Sequence, residues 1–222
     1  MKKFELTTES ITNEAGKKLF RIKALIDFGC VKAGELGGYV EKEENVSQDG
    51  NAWVRGNAEV SGDARVRDDA EVSGNAWVRG NAEVSGDARV SGNAEVSGNA
   101  WVRGNTEVSG DARVSGNAWV SGNARVRGNA EVAGNAWVRD DADVSGNADY
   151  ALIQGFGTKF RCTTFYRDKN KKIMVNCGCF HGNLEKFREQ VKKTRNGKIQ
   201  KEYLMIADLM EYHFASEDSS NE

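Results

Sequence analysis

From Val54 to Val144 a valine stands at every sixth residue without a miss, sixteen in all, and Tyr150 takes the next slot. Two residues before each stands alanine, from Ala52 to Ala148, with Thr106 the one substitute. Six is no multiple of the 3.6-residue helical turn, but it is three steps of the strand period of two. Val and Ala therefore point to one side and the residue between them to the other. Gly followed by Asn or Asp, with Asp68-Asp69 and Asp140-Asp141 as variants, interrupts each hexad with a corner that calls for positive φ. A strand too short for a hairpin, a corner and another such strand predict a coil rather than a meander, with Val and Ala inside.

This Val-x-Gly-Asn-Ala-x pattern over residues 51–150 resembles the hexapeptide-repeat family. The resemblance implies a left-handed parallel β-helix, an exception to the right-handed crossover rule, with three hexads closing one triangular coil. About 5.5 coils would then span roughly 25–27 Å. With 18 residues per coil, the outward residue before each Val stacks on its counterpart 18 further on. One face then reads Trp53, Glu71, Arg89, Glu107, Arg125, Asp143, and a second reads Glu59, Trp77, Glu95, Arg113, Glu131, Asp149. These are charge ladders that hold register. The third face reads Arg65, Glu83, Trp101, Trp119, Trp137. Three aromatic rungs on a polar solenoid mark a contact surface. Three readings stand for Trp101, Trp119 and Trp137: self-association, cover by the chain's own C-terminal part, or a platform for sugars or bases. Trimerisation, common in the family, is what the resemblance implies for self-association.

The ends of the chain depart from the repeat. Residues 1–50 are expected to form a β cap and a first coil, with strands around Phe4–Thr7 and Leu19–Ala24 and the coil beginning at Leu36–Val40. Val46 lies six residues after Val40 but eight before Val54, so two residues are inserted near Gln48 and Asp49. The stretch from Ile22 to Val40 is similar to the cap of hexapeptide-repeat proteins frequent in phage and prophage genomes, which implies a genomic context rather than an activity. After Tyr150 the period breaks into a small module over 151–215, read as β-β-α-α. Its strands are placed at Phe160–Tyr166 and Lys172–Phe180. An Asn183-capped helix carries Leu184, Phe187 and Val191, and a second carries Ile199, Tyr203, Ile206, Met210 and Phe214. Residues 216–222 read as a disordered acidic tail. The fold class is mainly β.

Charge changes the picture once it is split by segment. Residues 51–150 carry 10 basic and 15 acidic side chains, whereas 151–222 carry 13 and 9, within a chain of 222 residues and net charge −2. An acidic solenoid thus joins a basic module, and the overall balance argues against a nucleic-acid-binding polyelectrolyte. Lys159, Arg161, Arg167, Lys171 and Lys172, interleaved with aromatics, are candidate contacts for a small phosphorylated ligand. No apolar run reaches the length of a membrane span, and the residues after Met1 lack a secretory apolar segment. Four scattered cysteines fit a reducing, cytoplasmic setting without disulfides. Cys177, Cys179 and His181 alternate on one side of a strand, with Cys162 on the partner strand. They are read as buried structural residues in preference to a zinc site, because Cys-x-Cys in a flat strand diverges poorly for a tetrahedron.

Many hexapeptide-repeat proteins are acyltransferases, so the resemblance raises a coenzyme A or nucleotide-sugar site served by a histidine base. The solenoid contains no His and no inserted loop from Val54 on, and His213 beside Tyr212 and Phe214 reads as packing. Outward Ser, Arg, Glu and Trp also exclude the flat threonine ranks of an ice-binding surface. The sequence therefore points to a non-catalytic binding protein without cofactor or metal, oligomeric and directed at a host factor. A rigid scaffold is the alternative and an acyltransferase the second.

Overall fold

The computed structural model describes residues 2–215; the tail over 216–222 lies outside the described residues. The chain opens with an antiparallel hairpin of β1 (Phe4–Thr12) and β2 (Lys18–Ala24), to which β3 (Leu36–Val40) is added antiparallel. Sixteen strands of two or three residues follow, β4 (Trp53–Val54) to β19 (Asp143–Val144). Among themselves they pair only in parallel and only with the strand three positions away, which sorts them into three sheets, and β5 also pairs in parallel with β3. This is a parallel β-solenoid in which each face gains one short strand per 18 residues. Val46 bridges Val66, twenty residues on, which confirms the two-residue insertion.

Every repeat Val from Val54 to Val144 is fully buried, and the Ala partners from Ala52 to Ala142 are at most 2% exposed. The corners depend on glycine for two separate reasons. Gly98 has φ +70°, and a Cβ there would lie 2.8 Å from the carbonyl oxygen and 2.9 Å from the nitrogen of Gly116 in the next coil. The backbone approach allows no side chain on that side. The Asn beside each corner Gly does different work. Asn81, Asn99, Asn117 and Asn135 pass an amide hydrogen bond from coil to coil at 2.9–3.0 Å. A second file runs from Asn57 through Asn75 and Asn93 to Asp111.

Alternate N–H groups of the solenoid, such as those of Trp53, Arg55 and Asn57, donate to carbonyls of the next coil, those of Ala70, Val72 and Gly74. At the first coil the carbonyls that would accept such bonds are left to satisfy, and at the last coil the N–H groups that would make them. Donors close the first end. The Lys3 ammonium, 2% exposed, reaches the carbonyls of Asp49, Gly50 and Ala52, and the Asn45 amide reaches those of Gly62 and Ala64. Acceptors close the other. Thr164 Oγ1 takes the Trp137 N–H, Asn147 Oδ1 that of Glu131, and Asp149 that of Ser145. Burial pulls the Lys3 amine down to about 8, against the opposing pull of Asp49 and Asp69.

The C-terminal module has a four-stranded antiparallel sheet where two strands were expected: β20 (Tyr150–Phe156), β21 (Arg161–Arg167), β22 (Ile173–Cys177) and β23 (Phe180–Asn183). The run expected as one strand over Lys172–Phe180 folds back at Gly178, whose φ is +61°. Two helices follow, α1 (Leu184–Thr194) and α2 (Gly197–His213). Asn183 caps α1 through Lys186 N at 2.9 Å, and Leu184, Phe187, Val191, Tyr203, Ile206, Met210 and Phe214 are buried as expected. The other side of the sheet closes the solenoid: Tyr166 is buried in the Val/Ala core, and Asn176 Nδ2 donates to the Trp137 carbonyl at 2.7 Å.

Candidate functional site

The 18-residue coil brings the three tryptophans into register, with Trp101 paired to Trp119 and Trp119 to Trp137. Their ring centroids are 5.3 and 5.6 Å apart, tilted by 45° and 51°. Trp101 and Trp137 are 43% and 44% exposed, with Trp119 half-buried between them and the Arg103 guanidinium 5.9 Å above its ring. The C-terminal module sits on the end of the solenoid and leaves this face open. The strip runs into a groove at the junction, a cavity of about 320 Å³ lined by Trp137, Phe160, Arg161, Thr164 and Asn176. The other two tryptophans have different fates. Trp53, expected to face outward, is 1% exposed beneath Phe4 and Phe28, whose rings meet it edge-on at 6.1 and 5.3 Å. Trp77 is half-buried where the β1–β2 turn approaches the second face.

The charge ladders also differ in detail from the expected rung-on-rung pairs. Arg55, Arg67, Arg79 and Arg127, each just after a repeat Val, reach diagonally to Glu71, Glu83, Glu95 and Asp143 in the next coil. Only Arg125 with Glu107, at 3.9 Å, pairs within a ladder among the described residues. Each such exposed pair stabilises by about 0–1 kcal/mol. Asp149, expected as the last rung of its ladder, lies in a 3₁₀ turn where it binds Ser145 and Arg167.

The five basic candidates do not form one patch. Arg167 is held by Asp149 at 3.0 Å, and Lys171 lies 4.0 Å from Asp143, while Lys169 reaches Asp141 at 2.9 Å. This hairpin fastens the module to the acidic rim of the solenoid, with Lys172 at its exposed tip. Lys159 and Arg161 lie at the other end of β21. There they share a cavity with Arg195 and Tyr203, which sequence reasoning did not connect to them.

Cys177 and Cys179 flank a turn rather than alternate along one strand, and Cys179 is exposed, which corrects the buried structural reading for that residue. Cys162 and Cys177 are half-buried; burial, then the neighbouring Cys177, raises the Cys162 thiol pKa. His181 Nε2 lies 3.0 Å from Asp140 and 3.3 Å from the Tyr166 hydroxyl. Burial and Arg139 lower its pKa, while Asp140 opposes them. Among the described residues no group of three His, Cys, Asp or Glu is arranged to hold a metal ion. No helix of the described residues is long and apolar enough to cross a membrane. His213 is exposed, its ring edge-on to Phe214 at 5.0 Å. An apolar file of Met205, Leu209 and Tyr212, 70%, 56% and 82% exposed, runs along α2 and was not anticipated.

No curated protein matches the chain. Residues 88–104 and 108–122 match a family described as YdcK Beta solenoid repeat. These segments lie in the middle coils, where strand pairing is unbroken on all three faces. By this similarity and its own architecture, the chain is a β-solenoid repeat protein.

Proposed function

We propose that this chain is a non-catalytic binding protein of phage or prophage origin. It associates with itself through the face carrying Trp101, Trp119 and Trp137, and it presents that rigid assembly to a host factor. The supporting observation is the open tryptophan strip, three rungs long, on an otherwise polar solenoid. Tryptophan combines a large apolar area with few rotamers, so its burial between proteins loses little entropy. The genomic origin rests on the cap's likeness to phage-associated proteins. The non-catalytic reading rests on sixteen consecutive hexads without histidine or inserted loop.

Replacing all three residues by Ser leaves the inward Val and Ala untouched. Light scattering should then show the mass fall from an oligomer, a trimer on family resemblance, toward the 24.3 kDa of one chain. An unchanged mass would remove the strip from the self-association interface. Incubation with acetyl-coenzyme A and a panel of amine and hydroxyl acceptors should release no thiol above background. Release that is lost on mutating His181 or His213 would overturn the non-catalytic reading.

A further inference from the structure

The strongest unassigned feature lies on the helix side of the C-terminal module. Lys159 and Arg161, at the turn between β20 and β21, line a cavity of about 230 Å³ with Thr158, Cys177, Arg195 and Tyr203. It adjoins a second cavity of about 280 Å³ that shares Arg161, Cys177, Arg195 and Tyr203 and continues to Phe180, Phe187 and Gln190. No acidic side chain lines either one. Elsewhere in the module Arg167, Lys169, Lys171, Arg188 and Lys198 have acidic partners, and the cations without one, such as Lys172 and Lys201, line neither cavity. Among the described residues Lys159, Arg161 and Arg195 have none within ion-pair distance. Three mutually repelling cations around one cavity are an arrangement that an anion stabilises.

The backbone leaves room for the Arg161 side chain. Gly178, at the β22–β23 turn, has φ +61°, and a Cβ there would collide with the Arg161 guanidinium. The β turn therefore leaves the space in which the guanidinium lies. Tyr203 is fixed from the opposite side. Its hydroxyl donates to the Phe156 carbonyl at 3.3 Å, and its ring meets Phe187 edge-on at 5.9 Å. Burial, then Cys177, raises its phenol pKa, so it stays neutral beside the cations.

We propose that this cleft binds a nucleoside phosphate, with the phosphates at Lys159, Arg161 and Arg195 and the flat base toward Phe180 and the Gln190 amide. Guanidinium groups match phosphate oxygens in a planar fork, and an aromatic edge next to a side-chain amide suits a heteroaromatic ring. Apart from Arg161, which also lines the groove beside Trp137, the cleft shares no residue with the tryptophan strip, and it is read out by ligand rather than by mass, so each reading can fail alone.

The test is calorimetric titration of the full chain with ADP, GDP, CDP and UDP, and separately with inorganic pyrophosphate. At least one nucleotide should bind saturably and more tightly than pyrophosphate. Arg161→Gln and Arg195→Gln should each weaken it about tenfold or more, the loss of one charged hydrogen bond, while Lys201→Gln on the exposed part of α2 leaves it unchanged. Both arginines are exposed, so the melting temperatures of the variants should match the wild type and confirm folding. No saturable binding of any nucleotide, or equal binding by all three variants, would overturn the proposal. Pyrophosphate binding as tightly as the nucleotides would overturn the role given to the Phe180 side.

Discussion

Gly98 and Gly16 separate the two demands made on a corner glycine. Both have positive φ, +70° and +74°, but a Cβ on Gly16 would meet nothing within 4 Å, whereas one on Gly98 would press on the Gly116 backbone at 2.8 Å. Gly16→Ala therefore incurs only the left-handed backbone penalty of about 1–2 kcal/mol. That is offset by the lower entropy of the unfolded alanine chain, about 0.4–1 kcal/mol. The net loss should be about 1.6 kcal/mol or less. Gly98→Ala incurs the same penalty, and it must also push one coil from the next. Overpacking of this kind costs about 1–3 kcal/mol more, and the backbone atoms it meets cannot rotate away. The Asn81–Asn99–Asn117 file passes through the same corner and would be strained with it. For a chain of this size each kcal/mol lowers the midpoint by about 2–4 °C. Gly98→Ala should accordingly melt roughly 2–12 °C below Gly16→Ala, measured by circular dichroism at equal concentration. Amide exchange at Asn99 and Asn117 should accelerate only in the first. If the two variants melt within a degree of each other, the close approach between coils does not hold.

Val102→Asp should cost more than about 4 kcal/mol, because the position is fully buried among Val and Ala and offers a carboxylate no partner; a wild-type melting curve would show that residue 102 does not face the core. Lys3 supplies a pH dependence. Its folded pKa is about 8, below the usual value near 10.4 for an unfolded lysine, so between pH 8 and 10 the unfolded chain holds more protons and stability rises with pH. The stability difference between wild type and Lys3→Met should grow over that interval by up to about 3 kcal/mol, and denaturant titrations giving a constant difference would refute the burial of a charged amine.

The solenoid was legible because its information is local and repeated. Once Val and Ala fix the inward positions, dividing the chain by 18 pairs Trp101 with Trp119, and the strand register agrees. What escaped depended on partners far along the chain. Trp53 sits in the same hexad context as Trp101, and it is the N-terminal cap, with Phe4, Phe28 and the Gly37 backbone, that buries it. The hairpin at Gly178 was missed because Cys177 and Cys179 beside it are not the polar residues that usually announce a turn. Of the basic cleft only Lys159 and Arg161 could be read, since Arg195 and Tyr203 join them only when the helices pack on the sheet. The diagonal ion pairs were hidden for a simpler reason. A long Arg side chain reaches the next coil from the slot after Val, outside the ladder formed by the slots before Val.

The burial of Trp53 has a further consequence when set beside the arithmetic of the coil. Residues 51–66, 75–90 and 99–114 are the same sixteen-residue block, Asn-Ala-Trp-Val-Arg-Gly-Asn-Ala-Glu-Val-Ser-Gly-Asp-Ala-Arg-Val, with Thr106 the one change. The blocks start 24 residues apart, four hexads, while a turn of the solenoid takes three. Each copy is thus carried one face further round, and an identical tryptophan becomes core at Trp53, half-buried at Trp77 and exposed at Trp101. Copying the block once more would have put a tryptophan at position 125, on the first face, where Arg125 stands. Instead the spacing shortens to 18, and Trp119 and Trp137 fall in line above Trp101. The aromatic strip exists because the chain abandons its own duplication period at the point where the strip begins.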